Sequence, residues 1–359
     1  MNKDQSEILG TFDSKKVALA ILLGLGVTGW LFYNQIKDSD VTNFGQYFTD
    51  LNVVWIILTF VVMFSRDFGY VYRIRQLTQE ELTWKGSVYV IVLWEFASAV
   101  TPSVVGGTAV AVFLLNKEGI TFGKSLAYVM LTAILDNSFF LIAAPLAFFL
   151  NPGQEFPVVD FTVPLIQLPL TLNMKYLFYA SYLLILVYTL FMSFSILFAP
   201  KTFRKGIIVV VNFFYRLTAW KVLIKLRIKV KEYYDDIIIA SRQLKNKSLK
   251  YWVVAIVSTA FIWSARYFTL NCVIASFTPH FSLADHYDAF SKQIILWVTQ
   301  LISPTPGGSG FAEYFLKEFF GGGTLILVIA FTWRFFTYYA YLFAGSIVLP
   351  RWLKRALNR

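Results

Sequence analysis

Two of the long apolar stretches in this chain are broken in the middle by proline and glycine, and those breaks constrain the fold more than any other feature. Six unbroken stretches, at roughly 17 to 36, 51 to 72, 125 to 150, 174 to 198, 251 to 278 and 324 to 349, reach the ~20 residues that a bilayer-crossing helix needs. Two others differ. Val88 to Asn116 is interrupted by Thr101-Pro102-Ser103-Val104-Val105-Gly106-Gly107, and Ala289 to Phe320 by Ser303-Pro304-Thr305-Pro306-Gly307-Gly308-Ser309-Gly310. Proline removes a backbone donor and glycine is a poor helix former, so each stretch is predicted as two half-helices joined by non-helical backbone. Such backbone survives at membrane depth only where protein or a wet cavity surrounds it. The breaks at Pro102, Pro304 and Pro306 therefore predict a polar interior.

The composition agrees with a membrane protein. The chain is 57% hydrophobic and 15% charged, against about half apolar and a quarter charged in soluble domains. Residues 1–359 are read as one membrane domain, because the longest polar interval, 199–250, is a basic linker between two halves and not a second domain. Val17 to Tyr33 follows Lys15 and Lys16 like a signal peptide but lacks a small-residue cleavage pattern, and is expected to be a retained first helix.

Lys and Arg decide how the broken stretches sit. If both turn back on themselves, 26 of the 32 cations fall on the cytoplasmic side, as the positive-inside rule requires. If both cross, the thirteen cations from Lys201 to Lys250 face outward, which that rule rejects. The predicted fold is all-α: six full transmembrane helices, two re-entrant helical hairpins of opposite orientation, and both termini in the cytoplasm. That order makes an inverted repeat, an arrangement from which transporters build a midplane site between opposed broken helices. Leu93-Trp94 before Thr101-Pro102, and Leu296-Trp297 before Thr305-Pro306, echo the same relation.

Several chemistries find no support. The one cysteine, Cys272, and the two histidines, His280 and His286, cannot assemble a Cys/His zinc site; no metal and no cofactor is expected. Gly24-Leu25-Gly26-Val27-Thr28-Gly29 fits a dinucleotide pattern but lies within an apolar helix, where packing explains it. His280 and His286, with Asp285 and Asp288, are expected in a solvated external loop. Leu223, Leu226, Val230, Tyr233 and Ile237 recur at spacings of three and four among Lys225, Lys229, Lys231 and Glu232. That pattern predicts a cytoplasmic amphipathic helix facing anionic lipid headgroups, and not a nucleic-acid site. No catalytic constellation is present, so an enzyme is not expected.

The charges inside membrane segments carry the functional reading, since each costs about 2.5 to 3.5 kcal/mol at a helix centre. They are Arg334, Asp136 and Arg266 on full spans and Glu95 and Glu313 on half-helices. Internal ion pairing, for instance of Arg334 with Glu313 or Asp136, is one expectation; Arg66 and Asp67 are expected to snorkel to the cytoplasmic surface. Gly307, Gly308 and Gly310 offer unobstructed backbone N–H groups just before a half-helix, a setting suited to phosphate or carboxylate.

The run Pro304-Thr305-Pro306-Gly307-Gly308-Ser309-Gly310-Phe311-Ala312-Glu313 resembles the P-T-P-G-G-x-G-x-x-E signature of the lysylphosphatidylglycerol synthase transmembrane-region, or flippase-like, family. The Thr101-Pro102 to Gly106-Gly107 break, Asp136 in span three and Trp333-Arg334 in the last span are similar to further elements of it. Ala133-Ile134-Leu135-Asp136 departs from it by lacking a Glu-Arg pair. The resemblance implies a membrane domain that moves lipids across the bilayer, standing alone here without the soluble aminoacyl-transfer domain. The expected function is a flippase in the cytoplasmic (inner) membrane for a phospholipid or lipid-linked headgroup. Arg334 and Arg266 would hold phosphate with Gly307 and Gly308, while Glu313, Asp136 and Glu95 would hold a cationic headgroup or a coupling proton. Thr305, Gly106 and Gly107 complete the candidate binding residues. The alternatives are a non-transporting partner that organises a lipid-modifying enzyme or glycosyltransferase through the basic face, and a proton-coupled carrier of a small solute.

Overall fold

The computed structural model describes residues 33, 45–101, 103–151, 156–163, 168–195, 209, 212, 234–300, 311–321 and 323–357. Among the described residues five helices are long and apolar enough to cross a membrane: Val53–Leu77, Phe122–Phe149, Met174–Ser193, Leu249–Phe277 and Thr324–Ala356. They coincide with five of the six predicted spans; the first, 17 to 36, lies outside the described residues.

Helix α1 (Val53–Leu77) begins where the Asn52 side chain accepts the Val54 N–H at 3.1 Å, satisfying one of the donors a helix start leaves open. It ends in a turn where Gln79 and Glu80 take φ of 52° and 65°. Its 25 residues run about 37 Å at ~1.5 Å each, more than the ~30 Å hydrocarbon layer. The amphipathicity of α1 is reversed from that of a soluble helix. Val54, Ile57, Val61, Phe64 and Phe68 form an exposed row, while Thr59, Arg66, Tyr70 and Arg73 are buried. Apolar outside and polar inside is what a lipid solvent selects. This is a membrane protein.

The first broken stretch folds as a helical hairpin. Thr83 caps α2 (Trp84–Val100) by accepting the Gly86 N–H at 3.1 Å, and α3 (Ser103–Lys117) returns alongside it. A Cβ at Gly107 would stand 2.2 Å from Ser98 Oγ, and one at Gly86 2.9 Å from Glu118 Oε2. Contacts at both ends make the pair antiparallel, with Gly107 permitting the closest approach near the turn. Helix α4 (Phe122–Leu150) follows and contains Pro145. After it comes an antiparallel pair of strands, β1 (Val158–Val163) and β2 (Leu168–Asn173), in register from Val158 opposite Asn173 to Val163 opposite Leu168. This hairpin corrects the all-α expectation in one connection; the membrane-length elements are all helical.

Asn173 caps α5 (Met174–Ser193) through the Lys175 N–H at 2.9 Å. Most of the basic linker lies outside the described residues; its last part, α6 (Tyr234–Lys245), packs on α4. Helix α7 (Leu249–Phe277) lies antiparallel to α1, with contacts from Asn52 N–H to Ser276 O at 2.9 Å through Arg73 with Thr259 to Gln76 with Tyr251 O at 3.2 Å. A Cβ at Gly69 would lie 2.8 Å from Ile262, so α1 and α7 touch closely at mid-length.

The second broken stretch is described on its two sides, α8 (Leu283–Gln300) and α9 (Phe311–Phe320), which pack on each other. Helix α8 starts earlier than expected because Ser282 and Asp285 form a reciprocal cap: the Asp285 carboxylate accepts the Ser282 N–H at 2.8 Å and its hydroxyl at 2.6 Å. His286 therefore sits in a helix, ringed by Trp55, Phe268 and Phe281 with centroids 5.1, 5.6 and 4.5 Å away. A solvated loop does not describe it.

The last span is α10 (Thr324–Arg334), a π-helical turn (Phe335–Tyr339) and α11 (Ala340–Leu357) in continuous succession. It runs past Pro350, where the sequence suggests an end. The extension is anchored by Trp352, fully buried, whose indole donates to Glu118 at 2.9 Å beside Arg355 at 2.7 Å. Upstream, Gly345 meets α2 so tightly that a Cβ there would lie 2.3 Å from the Phe96 ring. Gly345→Ala is expected to destabilise the fold by about 1 to 3 kcal/mol, as overpacked cores do, and to cost less in a chain where Phe96 is already Ala. Thermal unfolding in detergent measures this; an unchanged midpoint for Gly345→Ala would contradict the packing described.

Candidate functional site

Where α1 and α7 cross, both helices turn polar residues inward at the same spacing. Helix α1 presents Arg66, Tyr70 and Arg73, with Asp67 beside them; α7 presents Thr259, Trp263 and Arg266. Steps of four and three keep each trio on one helical face, and the antiparallel packing sets the two faces against each other. Three guanidinium groups result, each joined to a carboxylate.

The first pair is local. Arg66 donates from Nε and Nη2 to Asp67 Oδ1 at 3.0 and 2.7 Å, and the Tyr341 hydroxyl of α11 donates to the same carboxylate at 2.7 Å. The second pair joins α1 to α4: Arg73 donates to Asp136 through both terminal nitrogens and to the Thr259 hydroxyl at 2.9 Å. The Trp263 indole completes it by donating to Asp136 Oδ1 at 2.9 Å. The third pair joins α7 to the hairpin. Arg266 reaches Glu95 at 3.4 Å and the Tyr70 hydroxyl at 3.0 Å, with its plane over the Trp263 ring at 5.4 Å.

Exposure separates the guanidinium groups: Arg66 and Arg73 are 0% and 2% accessible and Arg266 is 31% accessible, while the three carboxylates, Asp67, Asp136 and Glu95, are all partly accessible. The Arg266–Glu95 contact is also the longest of the three. A long ion pair with an accessible guanidinium can open to admit a third partner, since that group still has donors for an incoming anion. Arg334 is buried at the end of α10, its guanidinium 5.0 Å from the Trp333 ring and 5.4 Å from the Tyr338 ring. Tyr338, in the π-turn that follows, donates its hydroxyl to Ala99 O near the tip of α2 at 3.2 Å. π-turns often mark functional positions in helices, and this one ties the last span to the first hairpin's break.

With that geometry in view, the comparison with known proteins is decisive. The family described as the lysylphosphatidylglycerol synthase TM region matches residues 17–345. The chain belongs to that family. A UPF0104 membrane protein of Archaeoglobus fulgidus is 24% identical over 340 residues, covering 92% of this chain and 94% of its own length.

Against the residues singled out in this family member's sequence, the structure brings Arg266 and Glu95 together and gives Asp136 to Arg73, not to Arg334. Gly107 stands against Ser98, and Gly106 lies in the first turns of α3. Pro102, Pro304, Thr305, Pro306, Gly307 and Gly308, and the side chain of Glu313, lie outside the described residues. Arg66 and Asp67 do not snorkel: Arg66 is wholly enclosed. Sequence reasoning missed Arg73, Tyr70, Trp263, Thr259 and Tyr341. Arg73 was reachable, because Val71, Ile74 and Leu77 continue the apolar period with no glycine or proline from Tyr70 to Leu77. A span ending at residue 72 leaves Arg73 in the following loop, among the cytoplasmic cations with Arg66.

Asp136→Ala leaves Arg73 charged and unpaired and is expected to lower stability by about 3 to 5 kcal/mol. Arg73→Met with Asp136→Leu, which removes both charges, should restore most of that. Unfolding curves in detergent decide it: a double variant as unstable as the single one contradicts the pairing.

Proposed function

We propose that this chain is a lipid flippase that carries a phospholipid or lipid-linked headgroup across the cytoplasmic membrane. The Arg266–Glu95 pair carries this reading. Its two members sit on opposing elements, one on a full span and one on a half-helix, at an accessible place inside the bundle. A headgroup phosphate would take the guanidinium, and a cationic group or a proton would take the carboxylate, while the acyl chains stay in lipid. Membership of a family whose description names a lipid synthase's membrane region supports a lipid as cargo. Both hairpins are read as re-entrant, dipping from opposite faces, with both termini in the cytoplasm. The chain itself performs no covalent step. Arg334, buried beside Tyr338 of the π-turn, would supply a second cation for the phosphate.

The test is transfer of a fluorescent phospholipid between leaflets of liposomes containing the protein. The wild type should speed transfer over protein-free vesicles, and Arg266→Gln with Glu95→Gln should slow it about tenfold or more, the equivalent of ~1.4 kcal/mol. Equal rates in protein-containing and protein-free vesicles would sink the reading.

A further inference from the structure

Arg66 has a counterpart two hundred positions on. Residues 53–70 laid without a gap on residues 253–270 coincide at Val53 and Val253, Val54 and Val254, Ile56 and Ile256, Thr59 and Thr259, Arg66 and Arg266, and Phe68 and Phe268. The match extends to local structure. Thr59 and Thr259 are both buried, and each donates its hydroxyl to the carbonyl four residues back, at 2.9 and 2.8 Å.

The packing of α1 on α7 gives this likeness a place. Contacts run from Asn52 with Ser276, through Gly69 with Ile262, to Gln76 with Tyr251. On that register position 66 falls opposite 261–265. The two arginines thus both lie close to the crossing of the helices, which is where a two-fold axis exchanging α1 with α7 passes. Inverted repeats generate such an axis in the membrane plane, with the cargo site beside it.

The two arginines occupy this crossing in different states. Arg266 is 31% accessible and Arg66 is 0% accessible. Arg66 Nη1 is buried without any hydrogen-bond partner, although Nε and Nη2 are engaged. An enclosed guanidinium nitrogen with nothing to donate to is unfavourable, and an anion's oxygen is what it lacks. Asp67 is close enough to feel both Glu95 and Arg266, so the two pairs are parts of one charged centre.

We propose that Arg66 and Arg266 are two equivalent phosphate sites, that at Arg266 open and that at Arg66 closed in this conformation, used in turn as a phosphate-bearing group crosses the membrane. The proposal rests on the transport reading and adds a site to it. A guanidinium offers parallel N–H donors matched to phosphate oxygens, and the repeat supplies one such fork on each side of the axis.

Arginine modification tests this on the unaltered full chain in detergent. Phenylglyoxal labelling of Arg66 and Arg266 is followed by peptide mass spectrometry, alone and with dihexanoyl phosphatidylglycerol, dihexanoylglycerol or inorganic phosphate. Arg266 should react first and Arg66 more slowly, as the closed site opens. At about ten times its dissociation constant the short phosphatidylglycerol should slow both reactions ~10-fold, and dihexanoylglycerol neither. Equal protection by inorganic phosphate supports the phosphate sites and assigns them to free phosphate; protection by the phosphatidylglycerol alone assigns them to lipid. Arg66 that stays unlabelled after Arg266 is fully modified, or that is labelled without protection, overturns the proposal. Protection of both residues in a protein that moves no lipid in liposomes leaves the two sites standing and removes the transport reading instead.

Discussion

A guanidinium group in hydrocarbon needs a partner, and that requirement organises the centre of this protein. Each unpaired charge near the middle of a bilayer costs a few kcal/mol, and α1 alone carries two buried guanidinium groups, Arg66 and Arg73. The partners come from three directions: Asp67 on the same helix, Asp136 on α4 and Tyr341 on α11. Arg266 of α7 draws Glu95 of the hairpin into the same centre. These bonds fix how the spans stand around the α1–α7 crossing, and small residues at Gly69, Gly107 and Gly345 let backbones approach closely enough to make them.

Much of the fold was legible because a bilayer imposes few solutions. Length and hydropathy located five long helices, and the chemistry of Thr101-Pro102 located the first hairpin's turn. Other features follow from contacts that no periodicity announces. The continuation of the last span past Pro350 depends on Trp352 and Arg355 meeting Glu118 across the bundle. The early start of α8 depends on a single reciprocal cap between Ser282 and Asp285.

The site was legible in its membership more than in its pairing. Intramembrane charge singled out Arg266, Glu95 and Asp136, since such residues rarely persist without a role. Which cation meets which anion is a question of tertiary geometry. Asp136 has Arg73 because α4 packs on α7, whose Thr259 and Trp263 bond to the same pair, and the sequence cannot order candidates separated by dozens of residues. Arg66 illustrates a different error. Its distance from the end of the apolar run suggested an escape to water, but α1 continues to Leu77 and carries it inside.

The proposed headgroup path needs a charge pair that can exchange its partner for a passenger, and the longest of the three arginine contacts, Arg266 with Glu95, is the one assigned to it. An experimental density map of the protein in phospholipid nanodiscs tests this most directly. Phosphate density within hydrogen-bond distance of Arg266, with acyl chains leaving between the helices, is the predicted result. Ordered lipid confined to the outer faces of the spans, with Arg266 and Glu95 bonded only to each other, would contradict it.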